Sequence, residues 1–355
     1  MRIVLDGMGG DNAPAEIVKG AAIASGQIAH EICIVGDEEQ IKRELSLHEH
    51  DPNHISIVHA PDVVANDDKP VTAIRTKPDS SLVKALTLVK NGEGDLVLSA
   101  GNSGALMTGS LLLLGRIPGI DRPALGAPYP FAPKDAVGML IDAGANSVCK
   151  SSNLMHFAVM GSLYAEKVFG IESPKVGLIN MGAEPGKGGK VLREAYLLLE
   201  EMGTRGLIRF IGNVEARDIP YGDVDVLVGD GLTGNVTLKL TEGLGMALMG
   251  LLSEKFKSGF VSKIGAALLL PKLKELKKVF DYSIYGGAPV LGVRRPVVKI
   301  HGSSDYRSVL YAILKGVPFV ENDVVGHIGA RIAEMEEIGE ILKNAPKQAT
   351  EDDEA

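Results

Sequence analysis

The sequence predicts an α/β fold built on a mostly parallel sheet, and three observations point there. Short runs of Val, Ile and Leu recur along the 355 residues, and most end in Gly, Asp or Asn. Continuous apolar runs, rather than alternating ones, suit strands buried on both faces. Helical patterns lie between the runs, and strands alternating with helices argue for parallel crossovers. Glycine is abundant, at 43 residues, and aromatics are scarce, at 5%, which suits many tight strand-to-helix turns.

Taken in order, strands are expected over 3–6, 32–36, 55–59, 96–99, 125–127, 137–142, 176–180, 208–212, 224–228 and 297–301. Asn12 reads as an N-cap and Pro14 as an early helical proline, opening a helix to residue 24. Residues 80–90 carry Leu82, Val83, Ala85, Leu86 and Val89 at helical spacing, and 154–168 and 190–202 read the same way. No repeat or linker divides the chain. A single domain is expected over 1–343, followed by an acidic, disordered tail over 344–355.

The totals exclude some classes. A formal net charge of −8 argues against nucleic-acid binding. Cys33 and Cys149 lie in apolar stretches with no metal-type spacing, and read as reduced core thiols. The start of the chain enters a strand pattern without a signal-peptide core. Wholly apolar runs such as 266–270 are far short of the ~20 residues a spanning helix needs. The expected location is the cytoplasm, with peripheral contact at the inner face of the plasma membrane.

The strand ends carry the chemistry. In α/β sheets, ligands sit beyond the carboxyl ends of strands. Here the first strand runs into Gly9, Gly10, Asp11 and Asn12, and the fourth into Gly101, Asn102, Ser103 and Gly104. The sixth runs into Asp142, Gly144 and Asn146. Lys187 follows the seventh between Gly186 and Gly188, and Asn213 closes the eighth. The ninth runs into Asp230, Gly231, Thr233, Gly234 and Asn235, and the last into His301, Ser303 and Ser304. One such loop is ordinary turn chemistry. Together they read as an anion-binding cleft, because glycine admits backbone N–H groups to an anion while Asn and Ser add neutral donors.

The familiar nucleotide motifs fail letter by letter. Asn12 stands where a dinucleotide fingerprint needs its third Gly. Gly188 follows Lys187 where a phosphate loop needs Ser or Thr, and Met181 occupies that loop's first Gly position. Single residues keep two readings each. Lys187 is either a solvated surface lysine or an ammonium that a flexible turn swings into the cleft. Asn235 is a helix cap, a catalytic donor, or both. His301 either pairs with Ser303 as base and nucleophile or only braces its loop.

A basic, apolar segment stands out in this acidic chain. Residues 255–278 hold seven Lys and one Glu. Phe260, Ile264 and Leu268 share one helical face, Leu269 adjoins it, and Pro271 then breaks the helix. Lys272, Lys274, Lys277 and Lys278 rim a second apolar stripe. Over 255–280 this reads as a helical hairpin. It is either a pair of packed surface helices, a dimer face, or a surface for an anionic membrane or an acidic carrier protein.

Eight stretches, MRIVLDGMGGDNAP, SAGNSGALMTG, GRIPGIDRPAL, LIDAGAN, GNVEARD, VGDGLTGNVTLK, YGGAPVLGV and KIHGSSD, resemble in order the bacterial phosphate acyltransferase family, the acyl-carrier-protein:phosphate transacylases of phospholipid synthesis. The resemblance runs from Met1 to about Val325. It implies a three-layer α/β/α fold like that of isocitrate and isopropylmalate dehydrogenases, with one mixed sheet, two intertwined subdomains and a homodimer. It implies acyl transfer from acyl carrier protein to inorganic phosphate. The product would feed a membrane glycerol-3-phosphate acyltransferase. No cofactor or metal is implied. The family's lysine falls on Lys187 and its asparagine on Asn235. The chain departs at Gly189, where the family usually has Asn, which leaves Lys187 and Lys190 as competing lysines. Rival readings are an NAD-dependent dehydrogenase of the same fold, a non-catalytic carrier-binding scaffold, and a transacylase that uses acyl-CoA.

Overall fold

The computed structural model describes residues 1–131, 136–257, 259, 265, 266, 269 and 282–344. Among them runs one eleven-stranded sheet: β1 (Arg2–Asp6), β2 (Glu31–Gly36), β3 (Ile55–His59), β4 (Leu96–Ser99), β5 (Ala124–Phe131), β6 (Ala136–Ile141), β7 (Lys175–Asn180), β8 (Arg209–Glu215), β9 (Val226–Val228), β10 (Ala288–Leu291) and β11 (Val297–Lys299). The spatial order is β3-β2-β1-β4-β11-β10-β5-β6-β9-β7-β8. β3, β2, β1, β4 and β11 are mutually parallel, and so are β6, β9, β7 and β8. β10 and β5, joined by antiparallel pairing, connect the two groups and leave them running in opposite senses. β11 comes late in the chain yet completes the first group, so the halves intertwine.

Strand alternation sorts side chains to two faces. Ile3, Leu5, Ile32, Ile34, Leu96 and Leu98 point to one layer, with α1 (Ala15–Ser25), α6 (Ser151–Phe169), α9 (Tyr306–Glu321) and α10 (Val324–Asn344). Val4, Cys33, Val35 and Val97 point to the other, against α3 (Pro70–Thr76), α4 (Ser81–Lys90) and α5 (Ser103–Gly109). Helices on both faces of one mixed sheet are the three layers expected. α6 is apolar on most sides and lies in the core, with Phe157 fully buried. Burying such a side chain contributes about 1.5–3 kcal/mol relative to leaving it exposed. Gly20 lets α1 lie close against α9, since a Cβ there would meet the Val309 Cβ at 2.6 Å.

The remaining helices are α2 (Glu38–Leu45), α7 (Lys190–Thr204) and α8 (Gly231–Lys257). α8 bears on the function. One side of it packs through Leu238 over Tyr129, Leu140 and Leu227, and Thr241 Oγ1 lies 2.8 Å from the Tyr129 hydroxyl. The other side leaves Leu240, Leu244, Leu248 and Leu251 exposed. Within Gly231–Phe256 an 18-residue window has a mean hydropathy of 1.2, so by length and composition alone the helix is long and apolar enough to cross a membrane. That corrects the expectation from apolar runs. Glycines, threonines, Lys239 and Glu242 interrupt the apolar residues, so the apolar character shows in an 18-residue average and not in an unbroken run.

Three more expectations are corrected. Asn12 does not cap α1; Pro14 precedes the helix with no side-chain cap, and the Asn12 amide reaches elsewhere. β10 was not expected, because Pro289 interrupts its apolar run; the strand forms by antiparallel pairing, and Pro289 pairs with Val298. β5 runs to Phe131, past two prolines, Pro128 and Pro130, that read as its end. Of the 255–280 segment, α8 holds the first three residues, and only 259, 265, 266 and Leu269 are otherwise described; Leu269 is exposed. Phe260, Ile264, Leu268, Lys272, Lys274, Lys277 and Lys278 lie outside the described residues, as does the tail from 345 onward. Both cysteines are buried and free, and burial pushes the Cys149 thiol up to about 11, which keeps it unreactive.

Candidate active site

The strand-end loops gather into three clusters. In the first, the loops after β1, β4 and β11 brace one another. Asp6 is buried and accepts the Ser99 hydroxyl at 2.7 Å. Burial raises its pKa, against the pull of its hydrogen bonds. A Cβ at Gly9 would lie 2.7 Å from the Gly101 backbone nitrogen, so this crossing requires glycine. Asp11 N–H donates to the Gly302 carbonyl at 2.8 Å, and the Asn12 amide donates to the carbonyls of Ser303 and Ser304 at 3.3 and 3.2 Å. Asn102 caps α5 by accepting from Ala105 N–H at 3.0 Å, and donates to the carbonyls of Ala65 and Asn66 at 3.1 Å. Asp11, Asn12 and Asn102 therefore spend their hydrogen bonds on scaffolding. The signal that could have shown this is their placement in turns, where Asn and Asp commonly bond backbone.

In the second cluster, the loop after β6 meets the start of α8. The Asp142 carboxyl, fully buried, accepts from the backbone N–H groups of Leu125 (3.1 Å), Gly144 (3.2 Å), Ala145 (3.0 Å) and Asn146 (2.6 Å) and from the Asn146 amide (2.8 Å). The Asn146 carbonyl accepts from Gly231 N–H at 2.7 Å. A side chain at Gly234 would collide with the Asp142 carbonyl oxygen. Asp230 caps α8, accepting from Thr233 N–H at 2.7 Å. Asn235 therefore lies a turn inside the helix with its cap role already filled, and its amide is left for the cavity.

The third cluster holds Lys187. Its loop is closed by the Asn180 amide, which donates to the Lys187 carbonyl at 3.0 Å and to the Asn213 side-chain oxygen at 3.1 Å. Asn213 donates in turn to the Glu184 carbonyl at 2.7 Å. The Lys187 ammonium is half-exposed, 4.0 Å from a Glu184 carboxylate oxygen, and lines none of the described cavities.

A cavity of about 420 Å3 lies where the first two clusters meet. Of the residues expected from sequence, it brings together Ser103, Gly144, Asn235, His301 and Ser304. Leu125, Pro128, Leu238 and Ile300 give it an apolar wall. Ser303 N–H donates to His301 Nδ1 at 3.3 Å, with the Ser303 hydroxyl 2.9 Å away. A ring nitrogen accepting from backbone fits the bracing role. Burial, then Lys299 and Lys239, holds the imidazole below its ordinary pKa.

Sequence reasoning missed Lys239, Glu242 and Lys299, which also line the cavity. Lys239 pairs with Glu242 at 2.9 Å. Lys299 was findable: in the strand expected over 297–301 it lies two residues from His301, where alternation puts both on one face, although β11 itself ends at Lys299. Among the described residues, no group of three or more His, Cys, Asp and Glu is placed to hold a metal ion.

Cationic side chains, an apolar lining and a neutral amide donor share this cavity, a combination suited to an anion beside an apolar chain. Residues 1–327 match the family described as fatty acid synthesis protein. A phosphate acyltransferase from Alkaliphilus oremlandii is 48% identical over 335 residues, 94% of this chain and 98% of that protein. One from Clostridioides difficile is 45% identical over 337 residues, 95% of this chain and 98% of that protein. Among solved structures, a phosphotransacetylase from Streptococcus pyogenes superposes with a TM-score of 0.61 at 17% identity, covering 90% of this chain and 94% of that one. That last likeness speaks for the fold.

Proposed function

The chain belongs to the phosphate acyltransferase family and is an acyltransferase; from that premise we propose that it moves a fatty acyl group from the thioester of an acyl carrier protein to inorganic phosphate, releasing acyl phosphate for phospholipid synthesis. The observation that carries this reading is the cavity itself. Asn235 lines it together with apolar side chains suited to an acyl chain, Leu125, Leu238 and Ile300, and with Lys239 and Lys299, suited to an anion.

Phosphate is the nucleophile, so no acylated side chain is needed. A hydrogen phosphate oxygen attacks the thioester carbonyl carbon, forming a C–O bond and a tetrahedral oxyanion. Collapse breaks the C–S bond. The thiolate leaves with the electron pair and takes up the proton that hydrogen phosphate brought. Asn235 donates to the oxyanion, where a preorganised donor lowers the barrier most. Lys187, or Lys190 after it, supplies positive charge to the oxyanion or the departing thiolate from the β7 loop. Ser103, Gly144, His301 and Ser304 shape the pocket. The loops of Gly9–Asn12, Gly101–Gly104, Asp142–Asn146 and Asp230–Gly234 hold it open through the bonds described.

Two further contacts belong to this reading. A second copy of the chain covers the exposed apolar side of α8, and a monomer in sedimentation at assay concentrations would contradict that. The basic segment 255–280 meets an anionic membrane at the cytoplasmic face, where the product passes to a glycerol-3-phosphate acyltransferase. Unchanged co-sedimentation with anionic vesicles after charge reversal at Lys272, Lys274, Lys277 and Lys278 would count against it.

The test of the donor is a comparison of palmitoyl carrier protein with palmitoyl-CoA, each with and without phosphate. Phosphate-dependent release of free carrier is the expected result. Turnover with CoA alone would move the chain to the acyl-CoA reading. Label exchange between acyl carrier and free carrier in the absence of phosphate would require an acylated enzyme and overturn direct attack.

A further inference from the structure

Lys299 is half-buried at the end of β11 and lines the cavity beside His301. Among the described residues no carboxylate pairs with it. Its ammonium makes a long contact, 3.5 Å to the Ile300 carbonyl. Among the described residues that line the cavity, the acidic side chain is Glu242, and it is taken by Lys239 at 2.9 Å. A buried ammonium without a counter-ion is unfavourable in the empty protein. Burial, then the neighbouring Lys239, accordingly depresses its pKa. An anion entering the cavity would supply the missing charge and displace the weak carbonyl contact.

Resting on the functional reading above, we propose that Lys299 is the residue that binds the phosphate nucleophile, so that Lys187 does not. Three features favour this division. Lys299 and Asn235 line one cavity, whereas Lys187 lines none of those described. Lys187 already has a carboxylate nearby, Glu184 at 4.0 Å, which would compete with an anion. The loop after β11 is held by Asn12 and by Asp305, which caps α9 by accepting from Arg307 and Ser308 N–H at 3.1 and 3.2 Å. Lys299 therefore sits beside a braced loop.

The experiment is steady-state kinetics of Lys299→Met, which keeps the length and apolar stem of the side chain and removes the charge. The KM for phosphate is expected to rise roughly 10- to 100-fold, the value of a hydrogen bond to a charged group. The KM for the acyl donor is expected to stay within about twofold. Lys299→Arg is expected to recover part of the phosphate affinity. Removal of an unpaired charge should leave the Met variant at least as stable as the native protein, a result that a merely structural lysine would not give. A measurement on the native enzyme stands independently of folding: inorganic phosphate is expected to protect Lys299, and not Lys187, from acetylation by acetic anhydride, read by mass spectrometry. If the native enzyme transfers acyl groups to phosphate while Lys299→Met keeps its phosphate KM, or phosphate gives Lys299 no protection, the Lys299 assignment falls alone. If the native enzyme shows no phosphate-dependent transfer, the functional reading falls with it.

Discussion

Asn235→Ala is expected to slow phosphate-dependent acyl transfer by roughly 100- to 1,000-fold, the usual loss when one oxyanion donor is removed. The reason is positional. Asp230 already caps α8 through Thr233 N–H at 2.7 Å, so the helix does not need the Asn235 side chain for its start. Asn235 is exposed in the isolated chain and makes no packing contact that the core depends on. The loss should therefore appear in kcat with the thermal transition unmoved. Asn235→Asp is the stricter variant. It keeps the shape, removes the donor and places an acceptor against the developing negative charge, so it should fall at least as far. An Asn235→Ala enzyme with a near-native rate would remove the amide from the mechanism.

Asp142→Ala is expected to cost roughly 3–5 kcal/mol of stability, with activity lost as the pocket wall collapses. Five hydrogen bonds converge on this buried carboxyl. Each buried donor left without a partner costs about 1–3 kcal/mol, and relaxation of the loop returns part of the sum. The remainder is a large share of the roughly 5–15 kcal/mol that holds a typical domain folded. Asp142→Asn keeps one acceptor oxygen but turns an amide group toward other donors, so it should fall between the native protein and Ala. Urea unfolding midpoints measure both. A midpoint within error of native for Asp142→Ala would show that the loop carries itself.

Asp142 and Asn235 also mark how far the sequence could be read. The runs that became β1 to β4 were legible because each is apolar on both faces and closed by Gly or a polar turn. Pro289 hid β10, and Pro128 and Pro130 shortened β5, because pairing partners far along the chain override local preference. The Gly-rich strand ends were legible as a set. Their division of labour was not. Asp11, Asn12, Asn102 and Asp142 look like ligand donors and acceptors in one dimension, yet they close loops. Lys299 looks like an ordinary strand residue, yet it lines the cavity with no counter-charge among the described residues. Which of two similar side chains is satisfied by protein depends on contacts between residues far apart in the chain, up to 292 positions for Asn12 and Ser304.

The most direct measurement follows the oxygen. The enzyme is incubated with palmitoyl carrier protein and phosphate fully labelled with oxygen-18, and the products are read by mass spectrometry. The expected result is palmitoyl phosphate that retains every label oxygen, formed in step with free carrier and absent without phosphate. Unlabelled free palmitate formed at the same rate with or without phosphate would mean that water is the acceptor, and would contradict acyl transfer to phosphate.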